Sequence, residues 1–288
     1  MKIVTDSGTN VYLSDKQCDE MGIQVVPLNV TLAGKTYREG VDIRDDDFYD
    51  LLESSNALPT TSQPSAGAFA EIYREIAKSD PDILSIHISS GLSGTTNAAR
   101  AGAAMVPEAR VTVVDTKTLG APAGWQVEAA ARAVKAGWPL QRVLAHVEKI
   151  AAATDVVYTL KELKYLIHGG RISHMKGLIA SVLNIKPLIG VEKAGGTYVQ
   201  YGQARSFERA IENIVEYISK HINGTDQLRV QVVHSRNPEG AQKLIDLVSK
   251  RFKCSILPLE RLSLVLGAHV GKSMIGIAFA PEEVFELK

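Results

Sequence analysis

The stretch Asp82–Thr96, DILSIHISSGLSGTT, combines an apolar strand pattern, a loop rich in serine and glycine, and the start of a helix. Residues Asp82–Ile88 have the character of a buried strand, and the Ala-rich segment Thr95–Met105 predicts the helix. Strand patterns also occur at Lys2–Thr5 and Arg110–Val114. Because apolar strands that alternate with helices favour a parallel sheet covered on both faces, we predict an α/β fold for the first half of the chain.

The second half of the chain has a hairpin signal in place of regular alternation. The tetrapeptide Lys193–Gly196 separates two strand patterns, Pro187–Val191 and Thr197–Tyr201. We therefore predict two domains: a parallel-sheet α/β domain at 1–155, and an α+β domain with a largely antiparallel sheet at 156–288. The other strands are predicted at Gln24–Val30, Lys35–Arg38, Val156–Thr159, Leu228–His234 and Ser255–Pro258. The other helices are predicted at Asp45–Glu53, Ala66–Lys78, Pro122–Ala136, Leu140–Ala153, Leu160–Ile167, Lys176–Leu183, Phe207–His221 and Pro238–Phe252.

Length, charge and cysteine usage restrict the class of protein. The 288 residues suit two domains of about 150 residues each. Basic and acidic residues both number 32, which argues against a nucleic-acid-binding protein. Cys18 and Cys254 lie far apart, which indicates a reducing compartment such as the cytoplasm. The chain start turns polar too soon for a signal peptide. The apolar stretch Leu262–Ala280 contains His269 and Lys272, so we expect no stable membrane insertion.

The loop at Ser89–Gly94 has the composition of an anion site. Its glycines permit a close backbone approach, and the following helix offers free N–H groups at Gly94 and Thr95. Ser93 and Thr95 add hydroxyl donors, and the loop follows a parallel strand, where α/β proteins bind ligands. In the alternative interpretation, Ser93 or Thr95 merely caps the helix.

A second hydroxyl-rich segment, Thr60–Ser65, precedes the helix predicted at Ala66. Its proline and hydroxyl groups are typical of an ordinary helix start. The functional interpretation is that this segment faces the first loop and contributes to the same anion site. Asp6 and Ser7, which also follow a strand, provide a possible third polar loop.

The segment 156–191 is locally basic, since Glu162 is its only acidic residue. Such a region either forms a solvated surface or attracts an anion or an acidic partner. His269 lies between apolar runs, where a histidine is either a satisfied core residue or a buried donor for an anion. The basic side chains and histidines of the segment are Lys161, Lys164, His168, Arg171, His174, Lys176 and Lys186.

Several catalytic motifs are absent from the sequence. No lysine follows Gly94, as a Walker A loop requires, and Gly91–Thr95 does not fit the Gly-x-Ser-x-Gly elbow of hydrolases. Neither Gly-x-Gly-x-x-Gly nor His-Glu-x-x-His occurs. An α/β hydrolase or a small-molecule kinase with a site assembled from distant residues stays an alternative. A second alternative is a regulator that uses the basic segment to bind only other proteins.

The polar loops together resemble the DegV family of bacterial fatty-acid-binding proteins. The motifs that carry the resemblance occur in the family's order along nearly the whole chain. They are Val4–Ser7, Thr61–Ser65, Ser89–Thr95, Gly169–Ser173 and the region around His269.

The resemblance implies a non-enzymatic carrier that holds one long-chain fatty acid, such as palmitate, in a tunnel between two domains, with no cofactor. The family's carboxylate-binding hydroxyls fall on Thr61 and Ser93, and its histidine falls on His269. The resemblance also implies that a separate fatty acid kinase subunit converts the presented carboxylate into an acyl phosphate for phospholipid synthesis. Arg171 and Arg205 match the family arginines that we assign to phosphoryl transfer or partner docking.

One departure from the family lies close to His269. Family members commonly have a Gly-Pro-Gly-like stretch two residues after the histidine, and this chain has Gly271–Ser273, GKS. The substitution predicts either an altered tunnel wall or an additional cation, Lys272, near the ligand head group.

Overall fold

The computed structural model describes residues 1–172, 175, 185–222 and 227–287. The strands are β1 (Lys2–Asp6), β2 (Ile23–Val26), β3 (Asn29–Leu32), β4 (Lys35–Arg38), β5 (Thr60–Ser62), β6 (Asp82–His87), β7 (Arg110–Asp115), β8 (Asp155–Thr159), β9 (Lys186–Val191), β10 (Tyr198–Ala204), β11 (Leu228–His234), β12 (Cys254–Ile256), β13 (Glu260–Arg261) and β14 (Ile275–Pro281). The α-helices are α1 (Asp15–Met21), α2 (Asp45–Ser54), α3 (Ala66–Ala77), α4 (Thr95–Ala104), α5 (Ala121–Lys135), α6 (Leu140–Ala153), α7 (Lys164–His168), α8 (Phe207–His221), α9 (Pro238–Arg251) and α10 (Leu264–Val270).

The first sheet is parallel, as predicted, and has the strand order β2-β1-β6-β7. Side chains alternate between its two faces. Ile3 and Leu84 pack with residues of α5 and α6 on one face, whereas Val4 and Ile83 pack with residues of α3 and α4 on the other. The sheet is therefore covered on both faces, which explains why its strands read as continuous apolar runs.

The second sheet is largely antiparallel, as predicted for the second half. Its order is β10-β9-β8-β14-β11-β12, and β13 also pairs with β11. The two short strands run parallel to β11, and the other pairings are antiparallel. One face is covered by α8 and α9. The other face shares a core with the first half, in which Tyr158 and Val233 cluster with Ile88, Leu119 and Trp125. The boundary near residue 155 stays a prediction.

A third sheet, with the order β4-β3-β5, was not predicted. The strand expected at Gln24–Val30 is wrong as one element, because β2 belongs to the parallel sheet and β3 to this separate sheet. The break falls at Pro27, which has no N–H to donate to a continuous ladder. Thr60–Ser62 was expected to be a loop, and it pairs with β3 as an antiparallel strand.

Some of the observed helices differ from the predictions. The helix expected at Leu160–Ile167 is shorter in the structure, where α7 spans Lys164–His168. Helix α1 was missed, although Ser14 and Gln17 form a capping box before it. The helix predicted at Lys176–Leu183 lies outside the described residues. Among the described helices, none is long and apolar enough to cross a membrane.

Candidate functional site

Four predicted site residues from separate parts of the chain line one cavity. Thr61 lies on β5, Ser93 precedes α4, Arg171 follows α7, and His269 lies on α10. The cavity has a volume of about 30 Å³. Its lining consists of Leu28, Thr61, Ser62, Gln63, Ile88, Leu92, Ser93, Leu119, Arg171, Tyr198, Val265, Leu266 and His269. The fold therefore brings the two hydroxyls, the histidine and one arginine together, as the resemblance implied.

His269 is held against Thr61. Its Nε2 lies 2.8 Å from Thr61 Oγ1, and its Nδ1 has no hydrogen-bond partner within the described residues. Burial and the nearby Arg171 guanidinium lower the pKa of His269 to about 4, so the ring is neutral near pH 7. Gly169 packs directly against Nδ1, and any side chain at that position would collide with the ring. Part of the Gly169–Gly170 motif thus provides room for the histidine.

The N-cap residue of α4 is Gly94, and no side chain makes a cap hydrogen bond, so the interpretation that Ser93 or Thr95 merely caps the helix is wrong. Ser93 Oγ lies 2.8 Å from Thr95 Oγ1 and accepts a hydrogen bond of 3.3 Å from the Thr95 N–H, which is a structural role at the helix start. Ser93 also lines the cavity, whereas Thr95 is fully buried and does not. A Cβ atom on Gly94 would lie 2.7 Å from Gln63 Nε2. Glycine at 94 therefore permits the two hydroxyl-rich segments to face each other, as predicted.

The segment Thr60–Ser65 is divided between two roles. Ser65 caps α3 by accepting a hydrogen bond of 3.1 Å from the Ala68 N–H, so the structural interpretation is right for this residue. Thr61, four residues earlier, contributes its hydroxyl to the cavity. Only one end of the segment is therefore part of the candidate site.

Of the two arginines predicted to be site residues, Arg171 lines the polar cavity and Arg205 does not. Arg171 donates from Nε to the Leu92 carbonyl at 3.3 Å and from Nη1 to the Gly169 carbonyl at 2.5 Å, which fixes its guanidinium beside the cavity. Arg205 is exposed, follows β10 and does not line the cavity. Tyr198, at the start of β10, does line it, and the strand places Arg205 about 20 Å further along.

A second, mostly apolar cavity adjoins the first. Leu119, Tyr198 and Leu266 line both spaces, and the second cavity also has a volume of about 30 Å³. Its lining consists of Leu119, Gly120, Ala121, Pro122, Val156, Tyr158, Tyr198, Val233, Leu262, Leu266, Val270, Met274, Gly276 and Ala278. These residues come from both halves of the chain. The polar cluster therefore continues into an apolar interior between the two large sheets.

A model of the family described as "Uncharacterised protein, DegV family" matches residues 1–282. The chain belongs to the DegV family. It is 31% identical to a DegV domain-containing protein of Halalkalibacterium halodurans, over 98% of both chains. It also matches the structure of a DegV family protein from Thermus thermophilus, described by its fatty acid binding, with 31% identity, a TM-score of 0.87, and coverage of 97% of this chain and 99% of that one. DegV of Bacillus subtilis, described as a fatty acid binding protein, gives 28% identity and a TM-score of 0.87, with 98% and 99% coverage.

This DegV chain also contains a polar network that the sequence analysis missed. Asp6 Oδ2 lies 2.9 Å from His87 Nδ1, His87 Nε2 lies 2.7 Å from Ser85 Oγ, and Ser85 Oγ lies 2.7 Å from the Tyr73 hydroxyl. The order Asp–His–Ser is that of a hydrolase triad. All four side chains are fully buried, however, and the serine hydroxyl is engaged by both His87 and Tyr73. The network thus links β1, β6 and α3 inside the DegV core.

The DegV departure after His269 does not add a cation to the site. Lys272 Nζ lies 3.1 Å from Glu53 Oε1, on α2, and does not line either cavity. Ser273 Oγ accepts a hydrogen bond of 2.9 Å from the Lys161 N–H. The stretch therefore ties neighbouring segments together, and among the described residues Arg171 is the cation that lines the polar cavity.

Other lining residues were missed as site residues. Gln63 and Tyr198 line the polar cavity, although neither was predicted to be a site residue. Neither residue has a sequence signal that separates a lining side chain from a packed one. In the described ranges, no group of three His, Cys, Asp or Glu side chains is arranged to hold a metal ion.

Proposed function

We propose that this protein binds one long-chain fatty acid, such as palmitate, in the two adjoining cavities. The carboxylate lies among Thr61, Ser93 and His269, and the acyl chain extends past Leu266 into the apolar cavity. One observation carries the proposal: hydrogen-bonding groups from four chain segments converge at one end of a space whose continuation is lined mostly by apolar side chains. The two DegV structures described as fatty acid binding support the same ligand class.

The apolar end can supply most of the affinity. Burial of a methylene group contributes about 0.8 kcal/mol, so roughly fourteen of them contribute on the order of 11 kcal/mol before the costs of association. The carboxylate must be paired, because an unpaired buried ion costs several kcal/mol. The polar end therefore fixes the orientation of the ligand and removes this penalty.

The neutral His269 ring gives Thr61 a defined role. A neutral imidazole has one N–H donor and one acceptor nitrogen. If Nε2 donates to Thr61 Oγ1, the threonine hydroxyl hydrogen is available to a carboxylate. If Thr61 donates to Nε2, the ring proton lies on Nδ1, which is buried against Gly169. The first arrangement therefore offers the Thr61 hydroxyl to an anion, and Arg171 adds positive charge beside it.

Ligand entry requires side chains to move. Each cavity of about 30 Å³ has room for about one water molecule, far less than an acyl chain needs. We expect the Met274 side chain to move when the ligand enters, because it lines the apolar cavity and methionine adapts easily to different neighbours. We therefore expect fatty acid exchange to be limited by rearrangement of the lining and not by diffusion.

Mass spectrometry of the purified protein tests the lipid proposal. We expect native spectra to show one fatty acid per chain, and denaturation to release it. Added methyl palmitate serves as the control, because it keeps the acyl chain and lacks the carboxylate; it should bind much more weakly than palmitate. A protein that is isolated without lipid and takes up neither compound contradicts the proposal.

We further infer that the bound carboxylate is presented to a fatty acid kinase subunit in the cytoplasm. A carboxylate oxygen would attack the γ-phosphorus of ATP, forming an acyl phosphate and releasing ADP, and the carrier would deliver the product to phospholipid synthesis. Arg171 lies at the carboxylate end, where positive charge stabilises a transferring phosphoryl group. Lys161 and Lys186 add basic side chains to the same half, and Cys18 and Cys254 are both free thiols, in keeping with a reducing compartment.

Replacement of Arg171 distinguishes presentation of the carboxylate to the kinase subunit from binding of the fatty acid. We expect Arg171→Ala to lower acyl phosphate formation by about a factor of ten or more, because one charge contact to the phosphoryl group is lost. Palmitate retention should change little, since the apolar contacts remain. The assay combines the loaded protein, ATP and the kinase subunit of the same organism, with the exposed Arg205→Ala variant compared in parallel. An Arg171→Ala protein that loses its lipid contradicts the assignment.

A further inference from the structure

The apolar cavity adjoins a larger groove at the surface between the two halves of the chain. Pro122 and Val156 line both the cavity and the groove. The groove has a volume of about 410 Å³, within the usual size range of ligand pockets. It shares no lining residue with the polar cavity of Thr61 and His269.

The groove continues the apolar surface of the cavity. Val114, Val147 and Ala151 line it from the first half of the chain, and Val191 lines it from the second half. These side chains come from β7, α6 and β9, so the wall is built on regular elements. An alkyl chain that passes between Pro122 and Val156 therefore meets further apolar contacts.

Three of the polar side chains that line the groove are engaged by the protein. Gln126 Nε2 donates to the Thr116 carbonyl at 3.3 Å, and Lys193 Nζ lies 3.3 Å from Asp155 Oδ1. The Thr154 hydroxyl donates to a backbone carbonyl of α6 at 2.8 Å. These three groups therefore offer little to a polar ligand. The Glu148 carboxylate, which is exposed to solvent, also lines the groove, so the case for an alkyl occupant rests on the apolar wall.

We propose that this groove accepts the distal end of acyl chains that are longer than the inner cavities hold. The inference rests on the proposed fatty acid function and adds a determinant of chain length. Pro122 and Val156 form the passage, and Ala151 and Ala152 on α6 form the part of the wall that a larger side chain would obstruct. Palmitate would stay within the inner cavities, whereas behenate would extend into the groove.

Obstruction of the groove tests this proposal. Wild-type protein and variants are incubated with an equimolar mixture of palmitate, stearate, arachidate and behenate, and the bound acids are quantified after extraction. We expect the ratio of behenate to palmitate to fall about tenfold in Ala151→Phe and in Ala152→Phe, which is the effect of losing about two buried methylene groups. Ala152 is exposed, so its variant should fold even if Ala151→Phe does not.

The matched control is Ala145→Phe, an exposed position on the same helix that does not line the groove, and its ratio should equal that of the wild type. An unchanged ratio in the Ala152→Phe variant, with palmitate bound, overturns the groove proposal. A wild-type protein that binds palmitate and excludes behenate also overturns it. Absence of every acid from the wild-type protein refutes the proposed function itself, so the two failures are distinguishable.

Discussion

Two histidines with hydroxyl partners illustrate the difference between a structural network and a candidate site. His87 uses both ring nitrogens, on Asp6 and Ser85, and is fully buried with its partners. His269 uses Nε2 on Thr61, lines a cavity, and leaves Nδ1 without a partner in the described part of the chain. The residue types are nearly the same. What differs is the surroundings: the His269–Thr61 pair borders a cavity, whereas the His87 network is enclosed by the core.

The largest expected effect at neutral pH is on stability, and it concerns the Asp6–His87–Ser85–Tyr73 network of the core. Ser85→Ala should lower the free energy of unfolding by about 2 kcal/mol, because it leaves His87 and Tyr73 with buried polar atoms that have no partner. Palmitate affinity should stay within about twofold, since the network does not line the cavities. Urea denaturation and palmitate titration measure the two quantities. Tyr73→Phe, which removes only the outer hydroxyl, should cost less. A variant that is stable but unable to bind lipid would contradict the structural role.

At Thr61 and His269 we expect the reverse result, a loss of palmitate affinity in place of a loss of stability. Thr61→Val keeps the shape of the side chain and removes the hydroxyl that connects His269 to the proposed carboxylate. Palmitate affinity should fall about tenfold, the usual effect of one lost hydrogen bond to a charged group. Thr61→Ser should retain most of the affinity, because it keeps the hydroxyl. If valine and serine give equal affinities, the carboxylate does not contact Thr61.

A smaller effect is expected from Ser93→Ala. Its hydroxyl is shared with Thr95, so only part of its hydrogen-bonding capacity faces the ligand. Lipid occupancy and residence time should fall about threefold to fivefold, in keeping with a partly used hydrogen bond. Native mass spectrometry after dilution gives the residence time. Unchanged occupancy and exchange would exclude Ser93 from the carboxylate site.

The effect that is smallest at neutral pH, and that grows only as the pH falls, is the contribution of the His269 pKa to stability. Histidine in the unfolded chain takes up a proton near pH 6.5, whereas burial lowers the pKa of His269 to about 4 in the folded protein. Between these values the unfolded state binds more protons, so stability should fall as the pH falls from about 6.5 towards 4. His269→Gln removes this contribution and should make the decline shallower. Equal slopes in urea titrations of the two proteins would show that His269 is not buried as neutral imidazole.

Much of the architecture was predictable because periodic apolar patterns are local. The parallel sheet followed from buried runs such as Asp82–Ile88, and the hairpin from Lys193–Gly196. The small third sheet was not predictable in the same way. Its strand β5 is three residues long and is stabilised by pairing with β3, about thirty residues away in the chain, so its own composition resembles a helix start.

The site was predictable only in part, and mainly through motifs. Thr61, Ser93, Arg171 and His269 line one cavity, whereas the distance of Arg205 from that cavity depends on the length of β10. The Asp–His–Ser order in the core was invisible, because Asp6 and His87 are 81 residues apart and meet only through strand pairing. Whether a histidine lines a cavity or is enclosed in the core is likewise a property of packing.

A crystal structure of the protein with bound palmitate tests the central proposal most directly. We predict that the carboxylate oxygens lie within hydrogen-bond distance of the Thr61 and Ser93 hydroxyls, close to His269. The acyl chain should pass Leu266 towards Val156. A fatty acid bound in the reverse direction, with its carboxylate at Val156, or one bound outside the two cavities, would contradict the proposed roles of both ends.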